Sequence, residues 1–220
     1  MNPSADGELA RMWSEDRWKK FHALLEPVME SNPFQRNRSP DLVRVSELRG
    51  FEDFLSACPF TSKDELATDR LDNPPYGTNL SFPRDQYFKF HQTSGTLGKP
   101  MAWLDTSEDW NWMLGNWDRV LQAAGVGRGH RCYFAFSFGP FLGFWTAYEA
   151  AQRRGCLCMP GGGQGSEQRI RTILEHGAEF LFCTPTYALR LPEVAKQAGI
   201  ELNGHRLRRI IVAGETGGSS

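Results

Sequence analysis

Apolar residues recur at helical spacing from Ser14 onward. Trp18, Phe21, Leu25 and Val28 fall on one side of a helical wheel, with Lys19, Lys20 and Glu26 elsewhere, which predicts an amphipathic helix ending near Met29. Asn32-Pro33-Phe34 breaks that pattern, and the Arg-, Asn- and Pro-rich run to Asp41 reads as loop. A short helical turn is expected around residues 50–55. Ser62 followed by Glu65 has the form of a capping box and predicts a second helix there. Residues 72–83, dense in Asn, Pro, Gly and Ser, read as an extended connection into a strand at 86–91, and a partner strand is expected at 100–104.

Beyond this point the texture changes. Thr106-Ser107-Glu108-Asp109 is an acidic, hydroxyl-led start, and Trp110, Met113, Leu114, Trp117, Val120 and Leu121 mark one face of a long helix stopping at Gly125. With Trp112 the tryptophans of this helix would also suit an aromatic ligand box; a packed core face is the simpler reading. From Arg131 the pattern alternates. Strands are expected at 132–138, 156–159, 180–183 and 207–213, and helices at 141–154, 167–176 and 185–198, each closed by a glycine. Apolar strands alternating with capped helices imply an α/β fold, a mostly parallel sheet with helices on both faces and right-handed crossovers, preceded by a helical N-terminal segment. The expected division is 1–83, mainly helical and packing on the core, and 84–220, the α/β part.

Composition narrows the function classes. A chain of 220 residues that is 40% hydrophobic, with seven Trp and fifteen Phe, has the material for a sizeable core. A net charge of −1 gives no support for a nucleic-acid partner. Apolar runs are too short for a membrane span and no signal-peptide pattern opens the chain, so the default compartment is the cytoplasm. Residues 1–7 are polar and expected to fray. The five cysteines lack C-x-x-C spacing; Cys132, Cys156 and Cys183 fall inside expected buried strands and read as small apolar residues. The histidines are scattered without ligand spacing, so no metal site built from protein side chains alone is expected.

The stretch with most chemistry is His91-Gln92-Thr93-Ser94-Gly95-Thr96-Leu97-Gly98-Lys99-Pro100. Hydroxyls, unencumbered Gly amides and a lysine can converge on a phosphate. The G-x-x-x-x-G-K-[ST] loop does not fit, because Gly95 and Gly98 are too close and Pro100 stands where a hydroxyl should. Taken alone, the run is equally an ordinary Gly/Ser/Thr hairpin loop. Ligands of open parallel sheets bind at the carboxyl ends of the strands. The segments expected there, 137–140, 160–165, 184–187 and 214–218, are rich in Gly and small polar residues. None opens a helix with G-x-G-x-x-G, which argues against a nicotinamide-dependent oxidoreductase.

Thr93-Ser94-Gly95-Thr96-Leu97-Gly98-Lys99-Pro100 resembles the phosphate-binding signature of the adenylate-forming (acyl-CoA synthetase) superfamily, with Leu97 where a second Thr is usual. From Pro59 to Glu215 the chain is similar to the phenylacetate-CoA ligase family. Pro59-Phe60-Thr61-Ser62-Lys63 matches its early motif, Phe136-Ser137-Phe138-Gly139-Pro140-Phe141 resembles its Tyr-Gly-Tyr-Gly-Leu-Phe segment, Cys183-Thr184-Pro185-Thr186-Tyr187-Ala188-Leu189 its Cys-Thr-Pro-Ser-Tyr-Ala run, and Gly214-Glu215 its Gly-Ala-Glu-Pro. The resemblance implies an α/β nucleotide-binding subdomain truncated at its C-terminus, and a ligase that uses ATP, Mg²⁺ and coenzyme A to activate an aryl or arylacetic acid through an acyl-adenylate. It implies that Thr93, Ser94, Gly95, Thr96, Gly98 and Lys99 hold the ATP phosphates. Gly214, Glu215 and Thr216 would line the adenine side, with Glu215 alternatively a cap or a Mg²⁺ contact, and Phe136, Phe138, Gly139 and Phe141 would border the acyl pocket. Phe136 and Phe138 replace tyrosines of the family pattern. The family's later motifs and catalytic lysine would lie beyond Ser220, so no catalytic residue is expected in this chain and little ligase activity from it alone. A non-catalytic nucleotide-binding or interaction module, with homodimerisation allowed, is the alternative.

Overall fold

A computed structural model describes residues 14–93, 95 and 100–215. The expected frayed start at 1–7 and the expected ligand contacts of Ser94, Thr96, Gly98, Lys99 and Thr216 lie outside the described residues. Contacts divide the chain into two compact units, 1–87 and 88–220.

In the first unit, α1 (Glu15–Ser31) starts where Ser14 Oγ accepts from the Arg17 N–H, with Glu15 and Asp16 at the positive end of the helix dipole. The run after it is not loop: it forms α2 (Pro33–Arg38) and a 3₁₀ turn, Pro40–Val43. Asn32 makes both helices possible. Its N–H donates to Val28 O at 2.8 Å, ending α1, while its side-chain oxygen accepts from Gln35 N at 3.1 Å, opening α2 with Pro33 in its first turn. Leu25 and Met29 of α1 meet Leu42 and Val45 in a small core edged by Phe21 and Phe54, the latter on α3 (Phe51–Ala57). The capping box opens α4 (Lys63–Asp72): Ser62 N donates to Glu65 Oε2 at 2.6 Å and Glu65 N to Ser62 Oγ at 3.2 Å.

A two-stranded sheet, β1 (Tyr87–Gln92) and β2 (Ala102–Thr106), lies in the second unit except for Tyr87, the last residue of the first, and is followed by α5 (Ser107–Ala123) with a Thr106–Asp109 capping box. Then β3 (Arg131–Phe134), α6 (Leu142–Arg153), β4 (Leu157–Pro160), α7 (Ser166–Glu175), β5 (Phe180–Cys183), α8 (Pro185–Gln197) and β6 (Arg209–Val212) alternate. The four later strands form one sheet in the order β4-β3-β5-β6, parallel throughout, with Tyr133 opposite both Met159 and Leu181.

Alternation along β3 sorts the core. Cys132 and Phe134 face one cluster with Trp110, Leu114 and Leu121 of α5 and Ala147, Ala150 and Ala151 of α6. Tyr133 faces the other, with Ile170 and Ile173 of α7 and Leu191 and Ala195 of α8. Phe134 and Phe182 stack across adjacent strands at 4.4 Å, each burying a ring that contributes roughly 2 kcal/mol.

Three expectations shift. The strand expected to reach residue 138 ends at Phe134, because the chain turns out of the sheet and Phe138 adopts φ +52°. Cys156 precedes β4 and is half-buried, held in the turn after α6 by its N–H bond to Ala151 O at 3.1 Å. On α5, Val120 is 45% exposed and Trp112 71% exposed, so neither belongs to the core face nor to an aromatic box with Trp110. No helix among the described residues is long and apolar enough to cross a membrane.

Candidate functional site

Because all four strands of the larger sheet are parallel, the segments after Phe134, Pro160, Cys183 and Val212 leave on one edge. Glycine is required there by space. A Cβ on Gly161 would stand 2.7 Å from Tyr133 Oη and 2.8 Å from Phe134 O. Tyr133 donates its hydroxyl to Gln164 Oε1, which pins the Gly-rich segment after β4, and burial pushes this phenol up to about 12.

Arg169, on α7, is the brace of this edge. Its Nε donates to Gly161 O at 3.0 Å and Nη1 to Ala135 O at 3.1 Å, so one guanidinium ties the segments leaving β3 and β4. The guanidinium lies 5.2 Å from the centre of the Tyr187 ring, and Tyr187 donates to Ser166 Oγ at 2.9 Å. The sequence reading passed over Arg169. Its signal was a cation beside Ile170 on the apolar side of an amphipathic helix.

Glu215 sits over the start of α8. Its carboxylate accepts from Thr186 Oγ1 at 2.6 Å and Thr186 N at 3.1 Å, in the first turn of α8, as a cap would. These bonds hold its carboxyl below the usual range. Gly214 has φ +95°, and a Cβ there would lie 3.7 Å from Thr184 Cγ2.

The aromatic segment after β3 is divided in depth. Phe136 is buried and stacks on Phe144 at 4.0 Å, a core position. Phe138 is half-buried, its ring edge-on to Trp145 at 5.0 Å and Tyr148 at 5.3 Å. Gly139 O accepts from Trp145 Nε1 at 3.0 Å and from Phe141 N at 2.7 Å, and a Cβ on Gly139 would meet the Phe141 ring at 2.9 Å.

Of the expected phosphate loop, Thr93 and Gly95 are described. Thr93 N donates to Met101 O at 2.9 Å and Met101 N to Thr93 Oγ1 at 3.0 Å, a pinch that closes the neck of the loop. Gly95 has φ +72°, open to glycine at little cost. One residue before the pinch, Gln92 N donates to Pro140 O at 2.7 Å, so the root of the loop and the aromatic segment are joined. The hairpin is also tied to the helices: Lys89 pairs with Glu149 of α6, and Trp110 Nε1 of α5 donates to the same carboxylate at 2.6 Å. Among the described residues no group of three His, Cys, Asp or Glu side chains stands together to hold a metal. An apolar crevice of about 370 Å³, lined by Ile170, Leu181, Leu191 and Leu207, opens beside β6, and its lining does not include Thr93, Phe138, Arg169 or Glu215.

No protein-family model matches the chain. It is 30% identical to a phenylacetate-coenzyme A ligase of Pseudomonas putida over 90% of its length, and 32% identical to one of Thermus thermophilus over 88%. A third from Escherichia coli is 31% identical over 87%. The chain spans less than half of these relatives, 43%, 42% and 42% of their lengths. Among solved structures, the open conformation of a 2-hydroxyisobutyryl-CoA ligase with 2-HIB-AMP and CoA superposes with a TM-score of 0.84, at 24% identity, over 93% of this chain and 45% of that one. The thioesterification state of that ligase gives 0.82 at 25% identity, over 98% and 48%.

Proposed function

We propose that the chain, similar over most of its length to phenylacetate-coenzyme A ligases, belongs to that family of adenylate-forming enzymes and forms the ATP- and acyl-binding part of an AMP-forming carboxylate–CoA ligase. The observation that carries this reading is the meeting of the loop root with the aromatic segment, Gln92 N on Pro140 O, at the carboxyl edge of a parallel sheet. A triphosphate gripped by the Thr93 loop and a carboxylic acid against Phe138 and Phe141 would then be neighbours.

In the proposed reaction the carboxylate attacks the α-phosphate of ATP, pyrophosphate leaves, and an acyl-adenylate forms. The thiol of coenzyme A then attacks the acyl carbon and AMP departs with the bonding electrons. Mg²⁺ enters as part of the MgATP substrate. Thr93, Ser94, Thr96 and Lys99 are assigned to the β- and γ-phosphates, with Gly95 and Gly98 allowing close backbone approach. Such a site works by positioning and by fixed donors aimed at developing charge. Gly214, Glu215 and Thr216 are assigned to the adenine side, Glu215 acting through the turn it fixes on Thr186 rather than by ligating a metal. The half-buried aromatic rings after β3, Phe138 and Phe141, suit an aryl or arylacetic acid.

Holding under half of its relatives' length, the chain alone is assigned binding without efficient turnover. Calorimetry with MgATP and a pyrophosphate-release assay with ATP and phenylacetate test both halves of this reading. Micromolar MgATP affinity with release no faster than a protein-free control is expected. Enzyme-like turnover overturns the division of labour, and absence of nucleotide binding turns the reading toward an interaction module.

A further inference from the structure

His91 has an environment that its neighbours on the surface of the hairpin lack. It is 4% exposed, at the inward face of β1, two residues before the pinch at Thr93. Its ring stacks on Trp110 with centroids 5.1 Å apart and planes 13° off parallel. Its Nε2 lies 2.9 Å from Asp105 Oδ2, across the hairpin on β2. The approach is close yet not aligned as a hydrogen bond, and among the described residues Nδ1 and Nε2 have no hydrogen-bond partner. A buried polar ring without full satisfaction is costly enough that packing alone would favour a phenyl ring here.

The groups around it come from each element in contact. Lys89 shares its strand, Asp105 comes from β2, Asp109 and Trp110 from α5, and Glu149 from α6. Trp110 is the hub: His91 covers one part of it, Lys89 Nζ lies 4.4 Å from its ring centre, and its Nε1 donates to Glu149. Any movement of the hairpin relative to α5 and α6 must therefore break contacts of this set.

We propose that His91, beside Asp105 and stacked on Trp110, is the positioning residue of the end of the hairpin, holding Gln92 and Thr93 on the α5–α6 face so that the Thr93–Met101 pinch stays closed. The relevance to nucleotide binding rests on the phosphate-loop reading above; the closed pinch itself does not. His91 touches no reacting atom in this role. It acts through the hairpin. Burial drives its imidazole toward the neutral form, against the attraction of Asp105, so the positioning state is the neutral one at ordinary pH.

Hydrogen exchange on the full 220-residue chain tests this without any ligand. In His91→Phe, which keeps the stack, and in Asp105→Asn, the Thr93 and Met101 amides are expected to exchange at least tenfold faster while amides of β3 and β5 are unchanged. In the unsubstituted chain, protection at Thr93, corrected for intrinsic rate, is expected to fall as pH drops below the ordinary histidine range, with no such step in His91→Phe. Equal acceleration in β3 and β5 overturns the proposal in favour of a global stability effect. Restoration of the pinch by the apolar pair His91→Phe/Asp105→Leu overturns it in favour of simple space filling. MgATP titration of the unsubstituted chain reports separately on the phosphate-loop reading.

Discussion

The amide of Gln92 and the carbonyl of Pro140 meet at 2.7 Å, so a two-stranded hairpin and the segment that follows β3 share one fastening point. Neither partner is chemically special. Pro140 has no N–H, so its carbonyl is its one backbone hydrogen-bonding group, and that group accepts from the hairpin. The bond places the neck of a hydroxyl- and glycine-rich segment beside the segment that carries Phe138 and Phe141, and the proposed adjacency of phosphate and acyl sites depends on it.

The glycines of the site separate by what surrounds them. At Gly161 an added Cβ meets a backbone carbonyl at 2.8 Å and the Tyr133 hydroxyl at 2.7 Å, and neither retreats without moving β3. Gly161→Ala is expected to destabilise the chain by roughly 1–3 kcal/mol. At Gly139 the obstacle is the Phe141 ring, which can swing, so Gly139→Ala is expected to cost less than about 1 kcal/mol. Urea denaturation of the two variants checks the order; the reverse order would contradict the geometry.

Removal of the Arg169 guanidinium leaves the Gly161 and Ala135 carbonyls without their donor. Arg169→Met keeps most of the packing, and a loss of about 2 kcal/mol follows from charged hydrogen bonds of this kind. Arg169→Lys is expected to recover less than half of it, because a single ammonium cannot span both carbonyls and the Tyr187 ring as a planar fork does. Equilibrium unfolding of the three proteins measures the difference.

How far the sequence could have carried a reader differs from element to element. Strand β5 was readable to the residue because Phe180-Leu181-Phe182-Cys183 is a continuous apolar run between a glycine-closed helix and Thr184-Pro185. Helix α2 was not, since Asn32-Pro33 signals a break as well as a new start and only the two-sided bonding of Asn32 decides between them. Phe136 and Phe138 look alike in sequence, yet one is core and the other half-open, because a positive φ at Phe138 reverses the alternation expected of a strand. His91 and Asp105 were unreadable as a pair: they meet only when the hairpin closes, and no local spacing encodes that register.

The five cysteines are expected to differ in reactivity. Burial raises the thiols of Cys132, Cys156, Cys158 and Cys183, that of Cys158 to about 12 and that of Cys183 to about 11, so little thiolate exists at neutral pH. Cys58, half-buried in the first unit, is the expected site of attack by a maleimide or an aromatic disulfide at pH 7.5. One fast equivalent in native protein and five in urea is the expected titration, and Cys58→Ser should abolish the fast phase. Rapid loss of the buried Cys132 or Cys183 thiol would show that the sheet opens readily.

Glu215 gives the chain a pH dependence whose sign can be worked out. Hydrogen bonds from the Thr186 hydroxyl and amide favour its ionised form in the folded chain, so its folded pKa lies below the unfolded value of 4.5. A depressed carboxylate contributes stability that is fully present above 4.5 and disappears as pH falls through the lower folded value. Glu215→Gln keeps one acceptor but removes the charge. The unsubstituted chain is therefore expected to melt higher than the variant at pH 7, with the gap narrowing below pH 4.5, as followed by Tm from pH 7 to 3. A gap that stays constant over that range would mean that the carboxylate acts by shape and not by charge, and would remove the reason for placing an acidic residue over the first turn of α8.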